Sequence, residues 1–473
     1  MSAPVILASQ QAAPPAAPAR QESLRRRSVR AAATVASSQV VSILLRFTAS
    51  LLLTRLLMPE AFGLVALVNS LVVAVVLLSD SGAGVVIIQS RRNDEAFLAT
   101  AWTLQVIRGV ALWLLVGVMA LAIAGAQSRG WFSPGTVYAS PELPAMLFVF
   151  GLTLALQGAE SIQCRIAERE IRLGRVAAID LASQVLGLAA AVILAQATRS
   201  PWSLMFGAVA AAAAKALLSH ACLQGPGTRF GLQREAVREL LGKGKWIVLS
   251  SALGFLALQG DRTLLGMLVG SATLGIYGIA HSLATLAPTA IAVVFTRVAY
   301  PAIAEVARNN PDRVAPTYLR FQRLMDVVLG LLVGITMVGA ERIVQVLYDP
   351  RYQSAGPMLQ LLALGGLGLR MQSVTHLFMA QGKMHYLALC SALQALVIVV
   401  GLPIGFALFG MEGALAAVVA GKFADWPVTL WYRHRIGLAR WHTDLCLPAA
   451  LAIGCAAGFV LDIMLGRFGA AQL

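Results

Sequence analysis

Long apolar segments recur along the whole chain and are separated by short polar connections. Each is about 20 residues or longer, enough for a helix to cross the ~30 Å hydrocarbon core of a bilayer. A transmembrane β-barrel would instead show segments of about ten residues with alternating hydrophobicity. The pattern therefore predicts an all-α polytopic membrane protein. We place thirteen spans at about 35–58, 62–88, 98–125, 143–163, 176–197, 202–222, 246–268, 274–296, 321–340, 357–379, 386–409, 412–432 and 445–465.

Composition supports the membrane assignment. Of the 473 residues, 58% are hydrophobic and only 12% are charged, whereas soluble domains carry about 25% charged residues. The net charge of +15 could suggest nucleic-acid binding. The basic residues, however, lie in short connections between apolar segments, where they set membrane orientation. Five cysteines are scattered without a Cys-x-x-Cys spacing, most of them in or beside apolar segments, so we expect them to be small packing residues.

The distribution of basic residues predicts the orientation. The N-terminal tail and the alternate connections on its side hold 24 Lys and Arg, and the opposite connections with the C-terminal end hold 5. Because basic residues concentrate on the cytoplasmic side, we expect a cytoplasmic N-terminus. Residues 1–34 are Ala/Pro-rich and then basic, which predicts a disordered cytoplasmic tail.

Two segments half a chain apart resemble each other. LTRLLMPEAFGLVALVNSL (53–71) and LGMLVGSATLGIYGIAHSL (265–283) align Gly63 with Gly275 at an offset of 212 residues. LLVGV (114–118) and LLVGI (331–335) repeat at nearly the same offset. Both halves begin on the cytoplasmic side, so the repeat is parallel, a pattern found in transporters whose substrate passes between the halves.

The repeat divides the chain. We predict an N-terminal six-helix bundle over 35–222 and a C-terminal six-helix bundle over 246–432, joined by an amphipathic cytoplasmic linker over 223–245. A loop and an extra helix follow over 433–473.

Six segments, in order, resemble the Wzx-like polysaccharide repeat-unit flippases. This family belongs to the superfamily that also contains multidrug exporters and lipid II flippases. The segments are TRLLMPEAFGLVAL (54–67), SDSGAGVVIIQ (79–89), IAEREIRLGRVAAID (166–180), GDRTLLGMLVGSATLGIYGIA (260–280), RVAYPAIAEV (297–306) and VLYDPRYQSAGPMLQLLAL (346–364). The resemblance implies two six-helix bundles around a central cavity in the bacterial inner membrane. It further implies an undecaprenyl-pyrophosphate-linked oligosaccharide as substrate, delivered to the periplasmic face, with polysaccharide polymerase or export machinery left open as further partners.

Such a substrate would need cationic groups inside the membrane. Arg suits pyrophosphate because its planar fork donates several charge-assisted hydrogen bonds and stays protonated. Arg46 in the first span is the leading candidate for substrate contact, with a structural Arg–carboxylate pair as the alternative. Arg262 and Gln259 in the seventh span and Arg108 in the third are further candidates.

Three other polar residues are candidates for gating or coupling. Asp80 is followed by small residues that could instead serve close packing. Asp261 adjoins Arg262, but neighbours on a helix point about 100° apart, so the two need not pair. Asp261 could be an ion-pair partner or a proton or sodium site. His281 could be a protonation switch or a hydrogen-bonded structural residue.

Several functions lack their motifs. LLGKGKW does not fit a nucleotide-binding G-x-x-x-x-G-K-[ST] loop, and no His/Cys cluster has metal-ligand spacing. We therefore expect no cofactor and no enzymatic activity. Alternatives to the flippase are a multidrug or cation exporter, a lipid II flippase, or a membrane-embedded glycan enzyme.

Overall fold

The computed structural model describes residues 19–79, 94–170, 173–223, 225, 228–241, 245–296, 303, 305–306, 313–380, 384–435 and 445–470. These residues form helices and connections, and no strand occurs among them. The prediction of an all-α protein is therefore confirmed.

The helices of the N-terminal half precede a short linker helix. They are α1 (Ala19–Leu56), α2 (Pro59–Leu78), α3 (Glu95–Ser128), α4 (Leu143–Gly158), α5 (Gln163–Arg169), α6 (Leu173–Thr198), α7 (Trp202–Cys222) and the linker helix α8 (Arg234–Leu241). Helix α1 begins at Ala19 and so extends into the segment predicted to be a disordered tail. The sequence after Pro18 is rich in Ala and Arg, which favour helix.

The C-terminal half contains more and shorter elements. They are α9 (Lys245–Leu268), α10 (Ser271–Val294), α11 (Val314–Val338), α12 (Ala340–Leu347), α13 (Ala355–Gly365), α14 (Leu369–Ala380), α15 (Met384–Leu396), α16 (Leu402–Phe423), α17 (Trp426–Arg435) and α18 (Cys446–Ala470). Single 3₁₀ turns cover Val137–Ala139, Pro350–Tyr352 and Gly366–Gly368, and a π-helical segment covers Val397–Gly401.

Nine helices in the described part of the chain are long and apolar enough to cross a membrane, or ten if the bent pair α4–α5 forms one span. The sequence analysis predicted thirteen spans, and three further features explain why fewer helices qualify as full spans. Gln259, Asp261 and Arg262 lower the hydropathy of α9. Helices α13 and α14 are each shorter than a full span. The continuous helical stretch His385–Arg435 has 51 residues, which is long enough for two passes.

This long stretch reverses direction near its middle. Gly410 has a positive φ of 60°, and Phe409 also leaves helical geometry. On either side, Gly405 and Gly413 approach so closely that a Cβ on either would overlap the backbone of the other. The two arms therefore form a helical hairpin, as the break predicted between 409 and 412 requires.

The two halves meet where α2 crosses α10. A Cβ on Gly63 would overlap the Ser271 carbonyl, and a Cβ on Gly275 would overlap the Pro59 carbonyl. The contact is reciprocal, because Ser271 and Gly275 follow Pro59 and Gly63 by the 212-residue offset of the repeat. The two glycines aligned from sequence thus meet in space. We call this end of the molecule, where α1 ends and α2 begins, the closed end.

The extra C-terminal helix packs mainly on α11, and its Asp462 also pairs with Arg342 of α12. Gly330 and Gly334 of α11 face Gly454 and Gly458 of α18, with backbone atoms of the two helices in direct contact. Small residues four apart allow this approach between membrane helices. The sequence predicts the helix itself, and the glycine pairs explain why it docks on α11.

A matched pair of substitutions in α10 tests the glycine crossing. Gly275→Ala places a methyl group against the Pro59 carbonyl, whereas a Cβ at Gly278 meets only the Ala66 methyl at 3.9 Å. We expect Gly275→Ala to destabilise the protein by about 1–3 kcal/mol through overpacking. Gly278→Ala should leave stability unchanged or raise it slightly. The measurement is the thermal unfolding midpoint of each purified variant in detergent. Equal midpoints for the two variants would show that the crossing is not tight.

Candidate functional site

Arg46 is exposed in the C-terminal half of α1. Its Nη2 donates to the Ser42 hydroxyl at 3.0 Å, and its Nε donates to the Ser42 carbonyl at 3.4 Å. Ser42 in turn donates to Gln184 Oε1 on α6 at 2.7 Å. Within the described residues, no carboxylate lies within ion-pair distance of Arg46. The guanidinium is therefore positioned by its own helix, and most of its donors are left for another group.

Arg46 lies between two contacts of α1, one with its own half through Ser42 and one with the C-terminal half through Ser50. Ser50 is one helical turn further on, and its hydroxyl lies 3.5 Å from the Tyr348 hydroxyl of the opposite half. Residues four apart lie on the same helix face. Arg46 therefore lies one helical turn from a contact between the two halves.

Arg262 and Gln259 form a second polar pair, on α9. Arg262 Nη1 donates to Gln259 Oε1 at 3.2 Å. The Gln259 carbonyl accepts from Ser70 of α2, whose hydroxyl also lies 2.8 Å from the Thr263 hydroxyl. The pair therefore lies where α9 and α2 join the two halves. The Nε of Arg262 is buried and has no hydrogen-bond partner among the described residues.

Asp261 points away from Arg262 into a buried cluster. The Tyr277 hydroxyl donates to Asp261 Oδ2. His281 Nδ1 lies 3.8 Å from the same carboxylate oxygen and 3.4 Å from the Tyr277 hydroxyl. Asp261 is only 5% exposed and Tyr277 is fully buried, so each polar group depends on the others for hydrogen bonding.

Tyr277 is a site residue that the sequence reasoning missed. Its counterpart in the first half is Val65, at the repeat offset. A tyrosine that replaces valine on an apolar helix face, one turn before His281, is the signal that could have found it.

A chain of small cavities extends from this cluster through the C-terminal half. His281 and Lys422 line a cavity of about 160 Å³. Gln372 lines both this cavity and a second one of about 250 Å³, which is also lined by Gln394 and by the buried Asp425. The sequence analysis did not select these last four residues, because their polar character emerges only where separate helices meet.

The remaining predicted residues lie elsewhere. Arg108 is half-buried on α3, beside the point where Gly109 closely approaches Gly158 of α4. Asp80 falls outside the described residues. The structure thus joins Arg262 with Gln259, and Asp261 with His281, while Arg46 stands on a separate helix. The roles predicted for all seven residues stay predictions.

The chain matches the family model described as "Polysaccharide biosynthesis protein" over residues 52–357. It is similar to the lipopolysaccharide biosynthesis protein WzxC of Escherichia coli, with 22% identity over 69% of this chain and 64% of the relative. It is also similar to the succinoglycan biosynthesis transport protein ExoT of Rhizobium meliloti, with 23% identity over 68% of this chain and 62% of the relative. The match thus covers less than two thirds of the length of these relatives.

Solved structures share the fold. The lipid II flippase MurJ in an inward closed conformation aligns with a TM-score of 0.66 at 10% identity, over 91% of this chain and 95% of that chain. An inward-facing multidrug resistance MATE family transporter aligns with a TM-score of 0.60 at 16% identity, over 83% of this chain and 94% of that chain. These two alignments confirm the predicted fold of two helical bundles around a cavity.

A double-mutant cycle tests the buried cluster. Tyr277→Phe removes the donor to Asp261 and leaves its buried carboxylate short of a hydrogen bond, so we expect a loss of about 1–3 kcal/mol in unfolding free energy. In an Asp261→Leu background the same substitution should cost much less, because no carboxylate remains to be satisfied. Thermal unfolding midpoints of the four proteins measure the coupling. Additive effects would show that the two side chains do not depend on each other.

Proposed function

The chain belongs to the polysaccharide biosynthesis protein family, and on that premise we propose that it is a flippase that moves lipid-linked oligosaccharide repeat units across the bacterial inner membrane. The family match over 52–357 is the observation that carries the proposal. The transporter fold and the relatives named for polysaccharide biosynthesis agree with it.

The proposed substrate has a polar sugar, a pyrophosphate and a long polyprenyl tail. The polar part needs a hydrated cationic space, whereas the tail can remain in lipid. Arg46 is exposed one helical turn from the contact of Ser50 with the opposite half, which suits contact with pyrophosphate. Its hydrogen bonds to Ser42 fix the guanidinium before substrate arrives, and this reduces the entropy lost on binding. Arg262 with Gln259, and Arg108, are the further proposed contacts with pyrophosphate or sugar.

The proposed orientation follows from the basic connections. With the N-terminus in the cytoplasm, α1 ends on the periplasmic side, so the closed end faces the periplasm. The described conformation would then load substrate from the cytoplasm. Translocation would be a rocking of residues 35–222 against 246–432 that opens the closed end, with 223–245 as the connecting linker. Such alternating access agrees with a parallel repeat.

Coupling is proposed at the buried cluster of the C-terminal half. Asp261, Tyr277 and His281 share hydrogen bonds and lie beside the cavity that Lys422 also lines. A proton or cation that binds there would change the charge of a cluster that adjoins Arg262 and includes two residues of α10. Asp80 remains a proposed gate residue on α2. A gradient-independent flippase, drawn forward by polymerisation of its product, is the alternative within the same function.

Alanine substitutions test the cationic contacts. Arg46→Ala and Arg262→Ala should each reduce polymer export by tenfold or more, because a charge-assisted pair is worth about 1.5–3 kcal/mol. Arg165→Ala is the matched control, since Arg165 is exposed and pairs with Glu168 on α5. Export is measured as secreted polysaccharide at equal membrane levels of each variant. Full export by either test variant removes that residue from the site.

Lipid analysis tests the function itself. Cells that lack the protein should accumulate an undecaprenyl-pyrophosphate oligosaccharide, whose mass gives the repeat unit. Mass spectrometry of extracted lipids measures this. Accumulation of unmodified lipid II would instead indicate a lipid II flippase. Sensitivity to cationic drugs without any lipid accumulation would indicate an exporter.

A further inference from the structure

Two short 3₁₀ turns occupy equivalent places in the two halves. Val137–Ala139 comes shortly before α4, and Pro350–Tyr352 comes shortly before α13. Each turn reaches across to the opposite half of the molecule. We call them the exchanged turns.

Each exchanged turn caps the first helix of the opposite half. The buried Tyr352 hydroxyl donates to the Leu57 carbonyl at the end of α1 at 2.9 Å. The Val137 amide donates to the Val269 carbonyl at the end of α9 at 3.2 Å. Leu57 and Val269 are related by the same 212-residue offset as the two crossing glycines. Because the last carbonyls of a helix have no partner within it, each half satisfies the other's helix end.

The exchanged turns are buried and are held in place by contacts from both halves. Tyr138 of the first turn is 4% exposed and Tyr352 of the second is fully buried. Gln127 holds the first turn by donating to the carbonyls of Tyr138 and Ser140, both at 2.8 Å. Phe62 of the opposite half packs edge-on against Tyr352, with ring centroids 6.0 Å apart. Water therefore has little access to the two capped carbonyls.

A second bond strengthens only one of the two turns. Arg351 Nη2 donates to the Arg55 carbonyl at 3.3 Å, and Nη1 contacts Met58 Sδ. Asp349 holds the guanidinium in place at 2.8 Å. Hydrogen bonds from the Arg351 side chain and amide lower the pKa of Asp349, so the carboxylate stays ionised and keeps its hold.

We propose that the exchanged turns form the gate at the closed end, and that both must release their carbonyls when the cleft opens on that side. The opening motion rests on the proposed function, whereas the seal itself does not. Separation of the halves at the Gly63–Gly275 crossing would pull Tyr352 from Leu57 and Val137 from Val269 together. The closed state is thus favoured by hydrogen bonds that exist only while the halves are joined.

A labelling experiment tests the seal without any substrate. The labelling site is Thr263→Cys, on α9 and on the inner side of the gate. It is introduced into a chain whose five native cysteines have been replaced. An impermeant maleimide is added to the periplasmic side of spheroplasts. Tyr352→Phe keeps the ring but loses the hydroxyl, so labelling should be roughly fivefold faster, the effect of one hydrogen bond. Arg351→Ala should act in the same direction.

The control is Tyr432→Phe, which removes a hydroxyl from another buried tyrosine of the same half, away from the turns. It should leave labelling unchanged. Unchanged labelling in both Tyr352→Phe and Arg351→Ala would overturn the proposal. Equal acceleration by the control would also overturn it, because it would indicate general loosening.

A reversible tether tests whether the gate opens during transport. Met58→Cys with Arg351→Cys is bridged by a short bis-methanethiosulfonate. Polymer export should stop when the tether forms and return on reduction, while either single variant treated in the same way keeps exporting. Continued export with the tether in place would show that the exchanged turns need not separate. In a third outcome, the labelling responds as expected while the protein without cross-linker exports no polymer. That result would support the gate and contradict the flippase assignment.

Discussion

The direct backbone contact between α2 and α10 at Gly63 and Gly275 is the constraint on which the rest of the structure depends. Any side chain at either position would push the two helices apart, and the halves share their main joint there. The apolar side chains around the crossing form one continuous cluster drawn from both halves, so the joint excludes water. Close approach of backbones contributes packing energy in lipid, where little hydrophobic force acts between helices. The closed end is thus made by shape complementarity more than by charge.

Several charged groups elsewhere are paired within one half. Asp326 and Arg370 form a buried pair with 3.4 Å between charged atoms, and Lys215 bridges Glu160 and Asp180 in the other half. These charges are neutralised within one half and stabilise it. Arg46 differs, because it is exposed and, among the described residues, its hydrogen bonds run only along its own helix. A cation held without a carboxylate in an apolar chain is a reasonable place for an anionic ligand to bind.

Much of the architecture could be predicted because lipid imposes a strict rule on the sequence. Spans must be apolar and about 20 residues long, so the helices and the repeat could be found by inspection. The divergence of Asp261 and Arg262 followed from helix geometry alone. Tyr277 could not be identified as readily, because a single tyrosine in an apolar helix shows its partner only when α9 and α10 are packed. The cavity residues Lys422 and Asp425 were missed for the same reason, since they lie far along the chain from His281. Arg46 was selected for its charge, but its bonds to Ser42 and its distance of one turn from the Ser50–Tyr348 contact appear only in the folded chain.

The two exchanged turns differ in the kind of atom that makes the bond, and this has an evolutionary consequence. The donor to the Val269 carbonyl is the backbone amide of residue 137, which every residue except proline supplies. Only a substitution to proline at position 137 can therefore remove this bond. At Leu57 the donor is a side-chain hydroxyl, reinforced by the neighbouring guanidinium, and single-base changes in the gene can weaken or abolish either. One of the two bonds is therefore nearly fixed by the fold, while the other is open to selection. Related chains with the same architecture could adjust how readily they open to the far side of the membrane through positions 351 and 352 alone.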